Sequence, residues 1–255
     1  MRYQGGKTKQ STYIVPIIEK FLKKNLKLNG ECEYVEPFVG GGNIFTKVNW
    51  GVKICNDTDS DIINLWKHLA NGGEIPSPKD LTLELYNTLR EQDKNGKRKH
   101  DAWLYALVSR ICSYGGKKWG GYAHINPQRG EDHISEAISS LKKQINTETF
   151  LSDRVHLSFN NCEYDNLEIK DGSVVYCDPP YEGTLGYNTD FNHEKFWEWC
   201  RQLSKRGCVV LISEYKAPSD FRCIWRCKKP DGMGTTKRGK KQKIKIEKLF
   251  IYNGK

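Results

Sequence analysis

Hydrophobic and polar positions alternate along several segments of this chain with the period of an α-helix. Over residues 11–28, isoleucine, leucine and phenylalanine recur every three or four positions, and lysines occupy the opposite side. This pattern predicts an amphipathic helix. The same period predicts helices over residues 60–69 and 194–205, each with an apolar face directed at a core.

Short continuous apolar runs separate these helices and predict buried strands. The runs occupy residues 34–39, 52–55, 155–159, 173–177 and 208–213. Such runs, alternating with helices, are typical of a largely parallel sheet covered on both faces, so we predict an α/β fold. Near the C-terminus, residues 244–251 form an extended basic and apolar run that predicts a late strand or a hairpin.

The stretch Asn-Gly-Gly-Glu-Ile-Pro-Ser-Pro at residues 71–78 marks a change in the character of the chain. Glycine and proline interrupt regular structure there, and polar sequence with helical segments follows. We therefore predict a mainly helical insertion over residues 71–153. It divides one core domain into an N-terminal part, residues 1–70, and a C-terminal part, residues 154–255.

Composition indicates the kind of partner. The formal charge is +10, from 41 lysine and arginine residues against 31 aspartate and glutamate residues, and this balance favours a polyanion such as nucleic acid. The nine cysteines form no Cys-x-x-Cys pair, so we expect free thiols in a reducing cytoplasm and no metal site. The sequence contains no run of eighteen apolar residues, so we expect no membrane partner.

The tetrapeptide Asp178-Pro179-Pro180-Tyr181 carries the clearest chemical signal, because it directly follows a predicted strand. Two prolines hold the chain extended and leave their carbonyls to face a ligand at the carboxyl end of the sheet. A carboxylate and a carbonyl can accept both hydrogens of an amine, and a tyrosine ring can stack on a planar base. The pattern predicts a site that alkylates an amine; a simple strand-ending turn is the alternative.

A second signal is the segment Glu36-Pro37-Phe38-Val39-Gly40-Gly41-Gly42, which predicts a strand, a glycine turn and the start of a helix. Glycines let the backbone approach a ligand closely. Asp57 ends the next predicted strand, where an acidic residue can accept the hydroxyls of a ribose. The segment matches neither a nucleoside-triphosphate nor a dinucleotide fingerprint. We therefore predict a nucleoside pocket, which fits S-adenosylmethionine.

In this order, the motifs resemble those of the Dam-like (class α) DNA N6-adenine methyltransferases of phages and prokaryotes. The resemblance extends to Gly5-Gly6-Lys7, Asn56-Asp57, Ile212-Ser213-Glu214-Tyr215 and residues 247–252. It covers nearly the whole chain, although residues 71–153 match only in pattern. It implies a Rossmann-like, S-adenosylmethionine-dependent methyltransferase fold: a mostly parallel seven-stranded sheet with helices on both faces and an inserted target-recognition domain.

The resemblance also assigns roles to individual residues. The expected catalytic residues are Asp178, Pro179, Pro180 and Tyr181. Asp178 and the Pro179 carbonyl accept hydrogen bonds from the target amine, and Tyr181 stacks on a flipped adenine. The expected cofactor-binding residues are Tyr3, Lys7, Glu36, Pro37, Phe38, Gly40, Asp57, Asn161, Cys162 and Asp178. The expected product is S-adenosylhomocysteine, and no metal is expected.

Two basic segments are the expected contacts with double-stranded DNA. The candidate residues are Tyr114, Lys117, Lys118, Trp119, Arg129, Lys237, Arg238, Lys240 and Lys241. Tyr114 or Trp119 fills the space left by the flipped base, and the cations neutralise phosphates; a solvated hairpin tip is the alternative for the second segment. We expect a monomer, or a dimer on DNA, acting in the cytoplasm of a prokaryotic cell or a phage-infected host.

Other functions remain open from the sequence. Asp-Pro-Pro-Tyr also occurs in enzymes that methylate adenine in ribosomal RNA, and a related tetrapeptide serves methylation at cytosine N4. A basic DNA-binding scaffold without activity is a further alternative. A methyltransferase of this kind acts alone or is paired with a restriction enzyme, and the sequence leaves that choice open.

Overall fold

A computed structural model describes residues 1–123, 132–152, 154–183, 191–230 and 244–254. Within these residues the chain forms a seven-stranded sheet in the order β3-β2-β1-β4-β5-β7-β6. The strands are β1 (Tyr34–Glu36), β2 (Val52–Asn56), β3 (His156–Asn160), β4 (Val174–Cys177), β5 (Val209–Glu214), β6 (Phe221–Pro230) and β7 (Ile244–Tyr252). The pairs β2–β3, β1–β4 and β4–β5 are parallel, and β7 runs antiparallel to β5 and β6. The predicted α/β fold with a mostly parallel sheet is confirmed.

Six α-helices lie in the described ranges. They are α1 (Ser11–Asn29), α2 (Ser60–Ala70), α3 (Leu83–Lys94), α4 (Ala102–Ile111), α5 (His133–Ile145) and α6 (His193–Lys205). In α1 the buried side chains Ile14, Ile18 and Leu22 recur at intervals of four residues, as the periodicity predicts. The Asp59 carboxylate caps α2 by accepting hydrogen bonds from the backbone N–H groups of Asp61 and Ile62.

The chain divides into two compact units. The first comprises Met1–Val15 and Val39–Leu167, and the second comprises Pro16–Phe38 and Glu168–Lys255. In the first unit the Phe45 ring packs 5.0 Å from the Trp66 ring and 5.9 Å from the Phe159 ring. In the second, Phe221 packs 4.8 Å from Trp197. The target-recognition insertion at residues 71–153 stays a prediction.

The segment that follows the glycines differs from the prediction. Residues 43–47 form only a turn rather than the start of a helix. The turn is closed by the hydroxyl of Thr46, which donates to the Gly42 carbonyl at 2.7 Å, and by the Lys47 N–H, which donates to the Ile44 carbonyl at 2.8 Å. Since β2 begins at Val52, too few residues remain for several helical turns of about 3.6 residues each.

The C-terminal region confirms the predicted hairpin, because β6 and β7 pair antiparallel from Phe221↔Tyr252 to Pro230↔Ile244. The connecting residues 231–243 lie outside the described residues. Across the described part of the chain, no helix is both long and apolar enough to cross a membrane.

Candidate active site

In the first unit, the glycine turn is joined to the end of β2 by the side chain of Asp57. The Gly40 N–H donates to Asp57 Oδ2 at 2.8 Å, and the Asp59 N–H donates to Asp57 Oδ1 at 3.0 Å. The Val39 N–H donates to the Asn56 carbonyl at 2.9 Å. Each oxygen of a carboxylate can accept two hydrogen bonds, so Asp57 retains capacity for a ligand hydroxyl on both oxygens.

The Asp57 carboxyl group has an unusual acidity. Burial raises its pKa from the ordinary value of 3.8 to about 6, although the N–H groups of Asp59 and Gly40 and the charge of Arg110 act in the opposite direction. The ionised carboxylate of Asp57 can only accept hydrogen bonds. As the pH falls through 6, a growing fraction of Asp57 takes up a proton and loses acceptor capacity.

Tyr3 lies directly against the glycine turn. A Cβ atom at Gly40 would come within 2.9 Å of Tyr3 Cε1, and one at Gly41 would come within 2.5 Å of Tyr3 Cβ. Any side chain at these positions would therefore displace Tyr3. The structure thus places Tyr3 beside the turn, and its role in covering the cofactor stays a prediction from the resemblance.

Arg110 supports this arrangement from α4, and sequence reasoning missed it. Its guanidinium carbon lies 5.4 Å from the centre of the Tyr3 ring. The same side chain is buried and donates to Asp59 Oδ2 at 2.5 Å. The only charged residue in a mostly apolar predicted helix is the signal that would have found it.

Lys7 and Gln144 contact the backbone of the glycine segments. Lys7 is 4% exposed, and its Nζ donates to the Gly5 carbonyl at 3.3 Å. Gln144 of α5 donates to the carbonyls of Gly42 at 2.7 Å and Gly41 at 3.1 Å. Sequence reasoning assigned no role to Gln144, because the contact with Gly42 spans 102 residues.

The residues that follow β3 brace the same loop. The Asn161 amide donates to the carbonyls of Asp57 at 2.7 Å and Thr58 at 3.1 Å. The Cys162 N–H donates to the Asn56 side-chain oxygen at 3.1 Å, and the Asn56 amide donates to the Cys162 carbonyl at 2.9 Å. The structure therefore brings both predicted residues next to Asp57, with these polar groups bonded to protein.

In the second unit, the predicted catalytic tetrapeptide leaves the carboxyl end of β4. Asp178 and Pro180 are half-buried and Pro179 is buried. β1 pairs with β4 in parallel, with Tyr34 opposite Val174, so the segment after β1 leaves the sheet at the same edge. That segment contains the buried Pro37 and the half-buried Phe38.

Aromatic and acidic side chains line this edge. The Phe38 ring lies 5.9 Å from Phe196 and 6.0 Å from Phe191, in edge-to-face contacts. Glu36 is 2% exposed and accepts a hydrogen bond from the Tyr34 hydroxyl at 2.6 Å. The edge thus combines an apolar wall with the Glu36 carboxylate, which is held by Tyr34.

Tyr181 is held by two neighbours. Its hydroxyl donates to Glu247 Oε1, and its ring makes an edge contact with Tyr215 at 4.8 Å between centroids. Burial, together with the charges of Asp178 and Glu247, raises the pKa of Tyr181 well above its ordinary value. The hydroxyl is therefore a donor across the physiological pH range.

The described DNA-binding candidates have different surroundings. Tyr114 is 48% exposed and Lys117 is exposed, whereas Lys118 forms an ion pair with Asp61 at 3.3 Å. The Trp119 indole N–H donates to Asp93 Oδ2 at 2.6 Å. The remaining candidates lie outside the described residues: Arg129, Lys237, Arg238, Lys240 and Lys241.

Comparison with known proteins gives one consistent family. A model of the D12 class N6 adenine-specific DNA methyltransferases matches residues 3–224. The DNA adenine methylase of Escherichia coli strain K12 is 30% identical over 240 residues, which cover 84% of this chain and 80% of that protein. The type II methyltransferase M.MjaIII of Methanocaldococcus jannaschii is 25% identical over 243 residues, covering 84% and 82% of the two chains.

This chain is also similar to part of a longer phage protein. The DNA N-6-adenine-methyltransferase of Escherichia phage P1 is 27% identical over 208 residues. The match covers 72% of this chain and only 27% of the phage protein.

Proposed function

The chain belongs to the D12 class of N6 adenine-specific DNA methyltransferases, and from this premise we propose that it transfers a methyl group from S-adenosylmethionine to N6 of adenine in double-stranded DNA. The position of Asp178-Pro179-Pro180-Tyr181 at the end of β4 carries the proposal. The matched family is defined by methylation of adenine in DNA, so neither ribosomal RNA as substrate nor an inactive scaffold is favoured.

The residues near Asp57 fit the nucleoside part of the cofactor. Both oxygens of Asp57 retain acceptor capacity that suits the two hydroxyls of a ribose. Gly40 and Gly41 have no side chains where Tyr3 packs, so the Tyr3 ring can lie directly against the turn that would hold the cofactor. Lys7 supplies a positive charge for the methionine carboxylate. When bound, S-adenosylmethionine supplies a sulfonium-activated methyl group, and S-adenosylhomocysteine is its product.

The catalytic residues act on the target amine. The N6 lone pair of adenine is delocalised into the ring, which makes N6 a poor nucleophile. The Asp178 carboxylate and the Pro179 carbonyl accept hydrogen bonds from the two N6 hydrogens and so favour a pyramidal nitrogen with an available lone pair. When N6 formed its bond to the methyl carbon, the bond from that carbon to the cofactor sulfur would break, and Asp178 would accept the surplus proton. Tyr181 holds the adenine plane by stacking.

Of the two aromatic candidates for insertion into the duplex, Tyr114 and Trp119, the structure favours Tyr114. Tyr114 is 48% exposed, whereas the Trp119 side chain is bonded to Asp93 and packs 5.2 Å from Tyr86. We therefore assign Tyr114 to the space left by the flipped adenine and Lys117 to a phosphate. Residues 71–153 act as the target-recognition insertion, and a monomer is sufficient for these contacts. The site of action is the cytoplasm, where prokaryotic and phage DNA is found.

Expression in a methylation-deficient bacterial host tests the proposed function. We expect N6-methyladenine at one short sequence motif across the host DNA, mapped by single-molecule sequencing. The matched control is the Asp178→Ala variant at equal expression. A folded protein that binds S-adenosylmethionine but leaves every adenine unmethylated would contradict the proposal.

Cofactor affinity is expected to depend on pH through Asp57. Its carboxyl has a pKa of about 6, and the ionised form is the better acceptor for ribose hydroxyls. Affinity should therefore be constant above pH 7 and fall by about tenfold by pH 5, as one proton is taken up. Isothermal titration calorimetry with S-adenosylmethionine at half-unit pH steps measures this change.

The Asp57→Asn variant is the control for this titration. It keeps the shape of the side chain but cannot be ionised, so its affinity should be weaker at pH 7.5 by roughly 10–100-fold and flat between pH 7 and 5. Because the cofactor's own groups titrate equally in both proteins, parallel curves would exclude Asp57 as the ribose acceptor.

A further inference from the structure

Two buried glutamates lie behind the segment that carries Tyr181. Glu247, on β7, has no exposed surface and accepts the hydrogen bond of the Tyr181 hydroxyl. Glu214, at the end of β5, is 2% exposed and accepts hydrogen bonds from the backbone N–H groups of Glu182, at 2.7 Å, and Tyr215. Glu247 therefore contacts the side chain of Tyr181, and Glu214 contacts the backbone of the residue that follows Tyr181.

These contacts restrain the plane of the Tyr181 ring. The hydroxyl is fixed at one end by Glu247, and the ring edge is fixed by Tyr215, whose plane is inclined by 87°. A hydrogen bond to a carboxylate is shorter and stronger than one to a neutral group. With the backbone at Glu182 also bound, rotation about the side-chain bonds of Tyr181 is opposed at both ends.

Burying a carboxylate costs free energy of desolvation, and packing of the core does not require a carboxylate at these positions. Apolar side chains of similar volume often stabilise a core as well as buried charges do. Burial raises the pKa of Glu214 from 4.5 to about 7, which reflects this cost. A carboxylate that accepts the hydroxyl of the base-stacking tyrosine instead provides a directional restraint.

We propose that Glu247 is a positioning residue for methylation, which orients the Tyr181 ring for stacking on the target adenine while Glu214 fixes the backbone that carries the ring. This inference rests on the proposed function, since it assumes that Tyr181 stacks on the base. It assigns no contact between either glutamate and the substrate. The two acidic side chains act through Tyr181.

The test compares single and double variants on duplex DNA that carries the methylation motif mapped for the wild-type protein. Glu247→Gln keeps an acceptor for the Tyr181 hydroxyl, whereas Glu247→Leu removes it. Tyr181→Phe keeps the ring and removes the donor. The matched control is Tyr176→Phe, which removes another buried tyrosine hydroxyl, bonded to Ser213 at 2.9 Å on the neighbouring strands.

Steady-state methylation with labelled S-adenosylmethionine gives the expected pattern. Glu247→Leu should lower kcat/KM for DNA about 30-fold, and Glu247→Gln should stay within about fivefold of wild type. Cofactor Kd should stay within about twofold for both variants, because the lost restraint acts on the base rather than on the nucleoside pocket. In the Tyr181→Phe background, Glu247→Gln should change kcat/KM by less than about twofold, since the bond is already absent.

Two results would overturn the inference. Unchanged kcat/KM in folded Glu247→Leu would show that the restraint is not needed. Fully additive effects of Glu247→Gln and Tyr181→Phe, like those expected for Glu247→Gln and Tyr176→Phe, would show that the two groups act independently. If Glu247→Leu fails to fold, Tyr181→Phe decides, because it leaves Glu247 in place and removes the donor of the same hydrogen bond. An unchanged kcat/KM for DNA in folded Tyr181→Phe would overturn the inference. Absence of methylation by the wild-type protein would instead contradict the proposed function.

Discussion

Replacement of Asp178 by alanine is expected to lower the methylation rate by about a thousandfold. Asp178 follows β4 at the edge where the segment after β1 also leaves the sheet. We assign it the acceptor position for one N6 hydrogen and for the proton released on methylation. Single-turnover incorporation of labelled methyl groups into duplex DNA measures the chemical step directly.

Asp178→Asn separates two contributions of this residue. The amide oxygen still accepts a hydrogen bond but cannot take the proton, so the variant should recover only a minor part of the lost rate. Duplex affinity, measured by fluorescence anisotropy, should remain within about threefold of wild type, because Asp178 acts in the chemical step. A folded alanine variant with a wild-type single-turnover rate would remove Asp178 from the mechanism.

Gly42→Ala is expected to cost about 3 kcal/mol in the free energy of unfolding and to abolish cofactor binding at millimolar concentration. Gly42 has a φ of +66°, and an added Cβ would lie 2.3 Å from Trp66 Cζ2 and 2.8 Å from Phe45 Cε1. Both rings belong to the core of the first unit, so the glycine turn must shift to relieve the clash. Urea denaturation and calorimetric titration measure the two effects.

Gly96→Ala provides a matched control for this variant. Gly96 has a nearly identical φ of +64°, but its added Cβ would have no neighbour within 4 Å. It should therefore show only the backbone penalty of about 1 kcal/mol and unchanged cofactor binding. Equal losses in the two variants would indicate that backbone strain, rather than the clash with Trp66, accounts for the effect.

The sequence determined the features that depend on local pattern. Apolar runs and helical periodicity predicted the strands that carry the site, and Asp57 and Asp178 were identified because each directly follows such a strand. A side chain at a strand end is positioned by neighbours close in sequence, so its approximate place follows from the pattern alone. The resemblance, carried by motifs in a fixed order, then identified the family that the comparisons confirm.

Only the tertiary structure decided the contacts that join distant segments. Glu247 meets Tyr181 across 66 residues, and Arg110 meets Asp59 across 51. The turn after Gly42 replaced a predicted helix, because the start of β2 and contacts from Gln144 determine that segment. Hydrophobic periodicity predicts which face of a helix or strand is buried, but it does not predict which polar side chain from another element contacts that face. Strand order and helix packing decide that pairing, and they therefore decide how Tyr181 is held.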